Sequence, residues 1–128
     1  MSRAPSPDDA SIRFERVCAT SDVAAGMLRA VTLSDGTRAC IGNDRGTFFA
    51  VSDRCPHQKY PISDGELTAE GSIVCAWHGA AYDHASGASL RGPVRDGGVH
   101  EAPLGRLTVY DIRVVGDDIH VRPPELNF

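Results

Sequence analysis

Two cysteine–histidine pairs constrain this chain more than any hydrophobic pattern in it. Cys55-Pro56-His57 and Cys75-Ala76-Trp77-His78 stand seventeen residues apart, counted between His57 and Cys75. Both fall in a stretch from Asp53 to about Val99 where Gly, Pro, Ser and His interrupt every apolar run. Only Ile73-Val74 and Ala81-Tyr82 read as short strands there. A long, loop-rich segment in a small chain is usually functional, or is held by something other than a hydrophobic core. Two soft thiolates with two imidazoles suit zinc or an iron–sulfur centre. Zinc sites usually pair ligands roughly two to four residues apart, so the single residue between Cys55 and His57 closes awkwardly on one ion. Two irons bridged by sulfides spread the ligands, and each loop then gives its Cys to one iron and its His to the other.

The flanks carry the fold. Ile12–Cys18 alternates apolar and polar side chains, Ser21–Gly26 is turn-like, and Met27–Leu33, Arg38–Gly42 and Thr47–Val51 follow as short strands. Ser34-Asp35-Gly36 and Asn43–Gly46 punctuate them as turns. Leu107–Val115, a tight turn at Gly116-Asp117-Asp118 and Ile119–Arg122 form the strongest hairpin signal. The expected class is all-β, in one domain of 128 residues. Residues 1–11 read as a flexible arm, 12–122 as the domain and 123–128, opened by two prolines, as a tail.

Composition excludes several functions. A net charge of −4, from 13 basic and 17 acidic residues, does not suit sequence-independent nucleic-acid binding. No apolar run approaches a membrane span, and no secretory leader is evident, so a cytoplasmic, reduced chain is expected. In that setting Cys18 and Cys40 read as buried thiols. His84, His100 and His120 read as surface histidines.

The text around the two pairs resembles the Rieske [2Fe–2S] proteins over about residues 12–122. The resemblance rests on Arg54-Cys55-Pro56-His57-Gln58, Ser63-Asp64-Gly65-Glu66-Leu67, Cys75-Ala76-Trp77-His78-Gly79, Tyr82-Asp83, Ser86-Gly87 and Arg91-Gly92-Pro93. It implies a Rieske-like fold of small antiparallel sheets, with a loop-rich cluster-binding subdomain at about 53–99. It implies one [2Fe–2S] cluster, with Cys55 and Cys75 on the inner iron and His57 and His78 on the outer. Gly92-Pro93 would lie in a third, shielding loop, Trp77 would help keep water away, and Tyr82 stands where the family places a sulfur-bonding tyrosine. The respiratory branch carries an extra Cys in each cluster loop. This chain has none, so it resembles the soluble ferredoxins of bacterial oxygenases. Ala80 replaces a sulfur-bonding serine of the respiratory branch, which implies a potential low in the Rieske range, around −150 mV.

The implied function is one-electron transfer from a flavoprotein reductase to a terminal oxygenase, by a monomer with no catalytic residues of its own. Partners would approach a tip at His57 and His78. Lys59, the only lysine in the chain, lies there with Arg54 and Arg91. Two rival functions are a Rieske-like small subunit of an assimilatory nitrite reductase and a zinc-binding interaction module.

Overall fold

Among the described residues every strand pairing is antiparallel, and the strands fall into sheets of six, four and two. The computed structural model describes residues 14–54, 61–76, 79–91, 94–95, 98–99 and 106–122. The strands are β1 (Glu15–Ala19), β2 (Leu28–Thr32), β3 (Arg38–Asp44), β4 (Thr47–Ser52), β5 (Glu66–Leu67), β6 (Ser72–Val74), β7 (Ala81–Asp83), β8 (Ser89–Arg91), β9 (Val94–Arg95), β10 (Gly98–Val99), β11 (Val109–Val115) and β12 (Asp118–Arg122). Single 3-10 turns occur at Thr20–Asp22 and Ile62–Asp64.

The six-stranded sheet has the order β1-β12-β11-β4-β3-β2. It is built from the two ends of the chain, and everything between β4 and β11 is an insertion into it. Its outer strands β1 and β2 are joined through a side chain. The Glu15 carboxylate accepts the Ser34 backbone N–H at 2.9 Å and the Ser34 hydroxyl at 2.8 Å. The insertion holds the four-stranded sheet β5-β6-β7-β8 and the β9–β10 pair.

Two cores result, and β3 and β4 form the wall between them. Successive strand residues face opposite sides. Cys40, Phe49 and Val51 therefore point into a core with Ile62, Ile73, Cys75, Ala80, Tyr82 and Leu107, which joins the sheets. Ala39, Ile41 and Ala50 point the other way, to Cys18, Val23, Leu33, Tyr110, Ile119 and Val121. Gly42 is required here because Phe49, its cross-strand partner, lies over it. A Cβ at Gly42 would sit 2.0 Å from the Phe49 ring.

The sequence placed the strands of the large sheet well and their ends less so. β3 runs on to Asp44, because the turn needs only Arg45 and Gly46. Both have positive φ, 54° and 100°, the geometry of a two-residue hairpin that matches strand twist. Asn43 braces it by accepting the Gly46 N–H at 2.7 Å and donating to the Val23 carbonyl at 2.8 Å. The insertion holds more strands than expected: β5, β8, β9 and β10 accompany the two short ones foreseen. Cys18 and Cys40 are buried thiols, as expected, and burial raises the pKa of each.

His84 is a correction, since it is not a surface histidine. It follows β7, and its side chain is only 14% exposed. Nε2 donates to Asp44 Oδ2 at 2.9 Å, and the ring stacks on Phe49 with centroids 4.1 Å apart and planes 8° from parallel. This joint ties the four-stranded sheet to the β3–β4 turn. The His84 contact, then the Arg45 ion pair, lowers the Asp44 pKa. A lowered carboxylate pKa means the folded state favours the ionised form. The resulting stability is present above the ordinary carboxylate range and is lost as pH falls through the lowered value. Asp44→Asn should therefore destabilise the protein near neutral pH. The gap between parent and variant should close as pH drops below about 4, read by urea unfolding across pH.

Candidate metal centre

Both loops expected to carry the ligands are rooted in the shared core, and each has a closed neck. The first leaves β4 at Asp53. The Asp53 side chain is fully buried, although the residue is charged. Its Oδ1 accepts the Ser63 N–H at 2.7 Å, and Oδ2 accepts the Ser63 hydroxyl at 3.0 Å. The Arg38 guanidinium lies 3.5 Å from Oδ2, and the Asp53 N–H donates to the Arg38 carbonyl at 3.3 Å. A buried carboxylate persists only where donors or cations meet it, and here both do. The loop re-enters through Ile62–Asp64, with Ile62 fully buried in the core beneath.

The second loop joins β6 to β7. The Cys75 N–H donates to the Ala80 carbonyl at 2.7 Å, and Gly79 has φ of 72°, a left-handed bend that suits glycine. Cys75 is 1% exposed and Tyr82 fully buried, and both belong to the core that includes Ala80 and Ile62. The necks of the two loops press together at Gly65. A Cβ there would meet the Val74 carbonyl oxygen at 2.0 Å and the Ala76 nitrogen at 3.2 Å. The only residue that fits between the loops is one without a side chain.

The expected site residues divide accordingly. Cys75 and Tyr82 are placed in one buried cluster. Arg54 is exposed at the root of the first loop. Cys55, His57, Lys59, Trp77, His78, Gly92 and Pro93 lie outside the described residues, as does the side chain of Arg91. The expected third loop follows β8, whose Arg91 pairs with Ala81. The donor set suits a soft metal centre. Cys75 is buried in the shared core, and the Gly65 contact brings the neck of the other Cys/His loop to the same place. Asp53 and Ser63, the clamp of that neck, escaped the sequence reading. The Cys-Pro-His motif two residues beyond Asp53 was the available signal.

The Rieske [2Fe–2S] domain family matches residues 13–111, and the chain belongs to that family. Its cofactor is a [2Fe–2S] cluster. Among curated relatives, the ferredoxin subunit of 3-phenylpropionate/cinnamic acid dioxygenase from Shigella boydii is 30% identical over 108 residues, covering 84% of this chain and 92% of that one. Among solved structures, the ferredoxin-length chain in a complex of reduced oxygenase and oxidised ferredoxin of carbazole 1,9a-dioxygenase superposes with a TM-score of 0.73 at 24% identity, over 90% of this chain and 98% of that one. A Mycobacterium tuberculosis chain described as an NADH-dependent nitrite reductase small subunit superposes with a TM-score of 0.72 at 22% identity, over 88% and 96%. These two likenesses show the shared fold.

Gly65→Ala tests the packing of the necks. The added methyl meets backbone on both sides, so the loops must part. Overpacking of this kind costs about 1–3 kcal/mol. The variant should lose visible cluster absorption faster than the parent on mild heating or chelation, while the far-ultraviolet β signature of the large sheet persists.

Proposed function

We propose that this chain is a one-electron carrier that accepts electrons from a flavoprotein reductase and delivers them to a terminal oxygenase. The observation that carries the reading is the 30% identity to a dioxygenase ferredoxin subunit along 92% of that subunit's length. The fold shared with a ferredoxin seen in complex with its oxygenase supports the oxygenase as acceptor. In this reading residues 12–122 are the functional domain, with the cluster-binding part at about 53–99, an arm at 1–11 and a tail at 123–128. It acts as a cytoplasmic monomer and turns over no substrate. Among the described residues no helix is long and apolar enough to cross a membrane.

Cys55 and Cys75 would hold one iron, and His57 and His78 the other. When bound, the cluster supplies reversible one-electron chemistry, at a potential above four-cysteine clusters because imidazole is neutral. The chain's own residues do the rest. The Asp53–Ser63 clamp and the Cys75–Ala80 hydrogen bond hold the ligand loops at fixed spacing. Ile62 and Tyr82 close the floor beneath Cys75 against water. Trp77, Gly92 and Pro93 would cover the remaining sides, and partners would approach the His57/His78 tip, near Lys59 and Arg91, with Arg54 at the root of the same loop.

Reconstitution tests the function. The purified holoprotein should be red-brown. It should be reduced by NADH only when a flavoprotein reductase is present, and should support oxygen consumption by a Rieske oxygenase of its own organism. A colourless zinc protein, or electron delivery to nitrite reductase and to no oxygenase, would overturn the reading.

Tyr82 tests the tuning. If its hydroxyl donates to a ligand sulfur, Tyr82→Phe should lower the midpoint potential by about 40 mV, equivalent to about 1 kcal/mol in a one-electron couple. Ala80→Ser should raise it. A Tyr82→Phe protein with the parent's potential would assign the hydroxyl elsewhere.

A further inference from the structure

A groove of about 430 Å³ opens beside the root of the first ligand-bearing loop, with Arg38, Asp53, Arg54, Pro61 and Tyr110 among its walls. Arg54 and Pro61 are the residues on either side of the segment that carries Cys55 and His57. Whatever enters the groove therefore stands at the base of that loop.

The polar groups of the groove are unequal. Its acceptors are occupied. Both Asp53 oxygens take donors from Ser63, and the Asp53 side chain is wholly buried. Ser52 Oγ accepts the Thr108 N–H at 3.0 Å. Asp35, two residues from Thr37 of the groove wall, already takes the Thr37 N–H at 2.8 Å. Among the described residues the groove's guanidinium donors are only partly occupied. Arg38 reaches Asp53 only at 3.5 Å, and its side chain is 59% exposed. Arg54 is exposed and has no hydrogen bond or ion pair to any described residue. Two guanidinium forks with open donors, above a carboxylate that is already satisfied, match an incoming carboxylate.

The groove is open to solvent, so an isolated small carboxylate would gain little from two exposed arginines. A carboxylate fixed on a protein surface gains more, because the rest of the interface presents it. The chain's net charge of −4 repels an acidic surface elsewhere, which makes a local donor site a register mark. We propose that this groove receives an aspartate or glutamate side chain of the terminal oxygenase, bound by Arg38 and Arg54 at the root of the ligand loop. The assignment rests on the electron-carrier reading above and adds to it the partner's chemistry and the place of contact.

The test is stopped-flow transfer from the reduced holoprotein to the oxygenase found by the reconstitution, at an ionic strength of about 0.01 M, where the Debye length is about 30 Å. Arg54→Glu should lower the second-order rate about tenfold, a steering-sized effect. Arg38→Gln should lower it severalfold. Arg45→Glu is the control. It makes the same change in net charge as Arg54→Glu, on a side chain 73% exposed at the far end of the β3–β4 hairpin from Arg38, and should leave the rate near the parent's. At about 1 M salt all four proteins should converge. The visible spectrum and midpoint potential of each variant check that the cluster is intact. If Arg54→Glu loses it, Arg38→Gln decides, since Arg38 lies outside the ligand loop. Equal slowing in Arg45→Glu would reduce the effect to net charge and overturn the groove. Parent-like rates in Arg54→Glu and Arg38→Gln, or faster ones, would overturn it too. If the parent itself delivers electrons to no oxygenase, the carrier reading falls and the groove falls with it. If the parent transfers and the variants match it, only the groove falls.

Discussion

The buried carboxylate of Asp53 governs how the two halves of the molecule meet. It sits at the end of β4, the last strand of the large sheet before the insertion begins, and it holds Ser63 by both a backbone and a side-chain donor. Nine residues lie between these two points, and few of them are apolar enough to pack. A hydrophobic contact would hold such a neck without fixing its direction. A carboxylate that accepts two hydrogen bonds fixes distance and orientation together. Burial raises the cost of breaking it, because the ionised group would be left without compensation. The spacing of the loop's two ends is therefore set from the sheet side.

The rest of the insertion is aligned to the same wall. Period-two alternation gives β3 and β4 an apolar face on each side, so one pair of strands serves both cores. Phe49 links the two functions of that wall. It covers Gly42 across the hairpin, and its outer face stacks on His84, which belongs to the small sheet. Gly71, with φ of 87°, admits this joint, since a Cβ there would stand 2.9 Å from Asp44 Oδ2. Asp53 and His84 thus fix the small sheet at opposite ends of the β3–β4 hairpin. Two separated joints prevent rotation in a way that one does not.

The sequence disclosed what depends on local pattern and hid what depends on pairing at a distance. Apolar runs bounded by turn signals located the strands at Arg38–Gly42, Thr47–Val51 and Leu107–Val115. β5, β9 and β10 have two residues each and show no period at all. Their strand state comes from their neighbours. Asp53 and Ser63, and likewise Asp44 and His84, meet only in the folded chain, forty residues apart in the second case. Nothing near His84 in sequence distinguishes it from a surface histidine. The cofactor was legible for a different reason. Ligand chemistry demands particular residue types at particular spacing, so Cys-x-His and Cys-x-x-His-Gly are informative without any strand being known. Their side-chain geometry at Cys55, His57 and His78 is outside the described residues, and the structure contributes the necks that hold them.

An electron carrier must leave each partner as readily as it finds it, and the exposed charges suit that need. Exposed guanidinium–carboxylate pairs contribute roughly 0–1 kcal/mol each, which is little affinity. Their larger effect is on encounter, which depends on long-range charge more than on contact area. Arg38 and Arg54 are both exposed, so binding to them would remove little solvent and release would be fast. Asp53, directly beneath, is wholly buried and contributes rigidity instead of attraction. The same small region thus separates two tasks by burial. Charge that is shielded from water holds the neck of the loop, and charge that faces water stays available to a partner. If both tasks fell on exposed residues, each docking event would loosen the loop, and the distance from cluster to acceptor would vary between encounters.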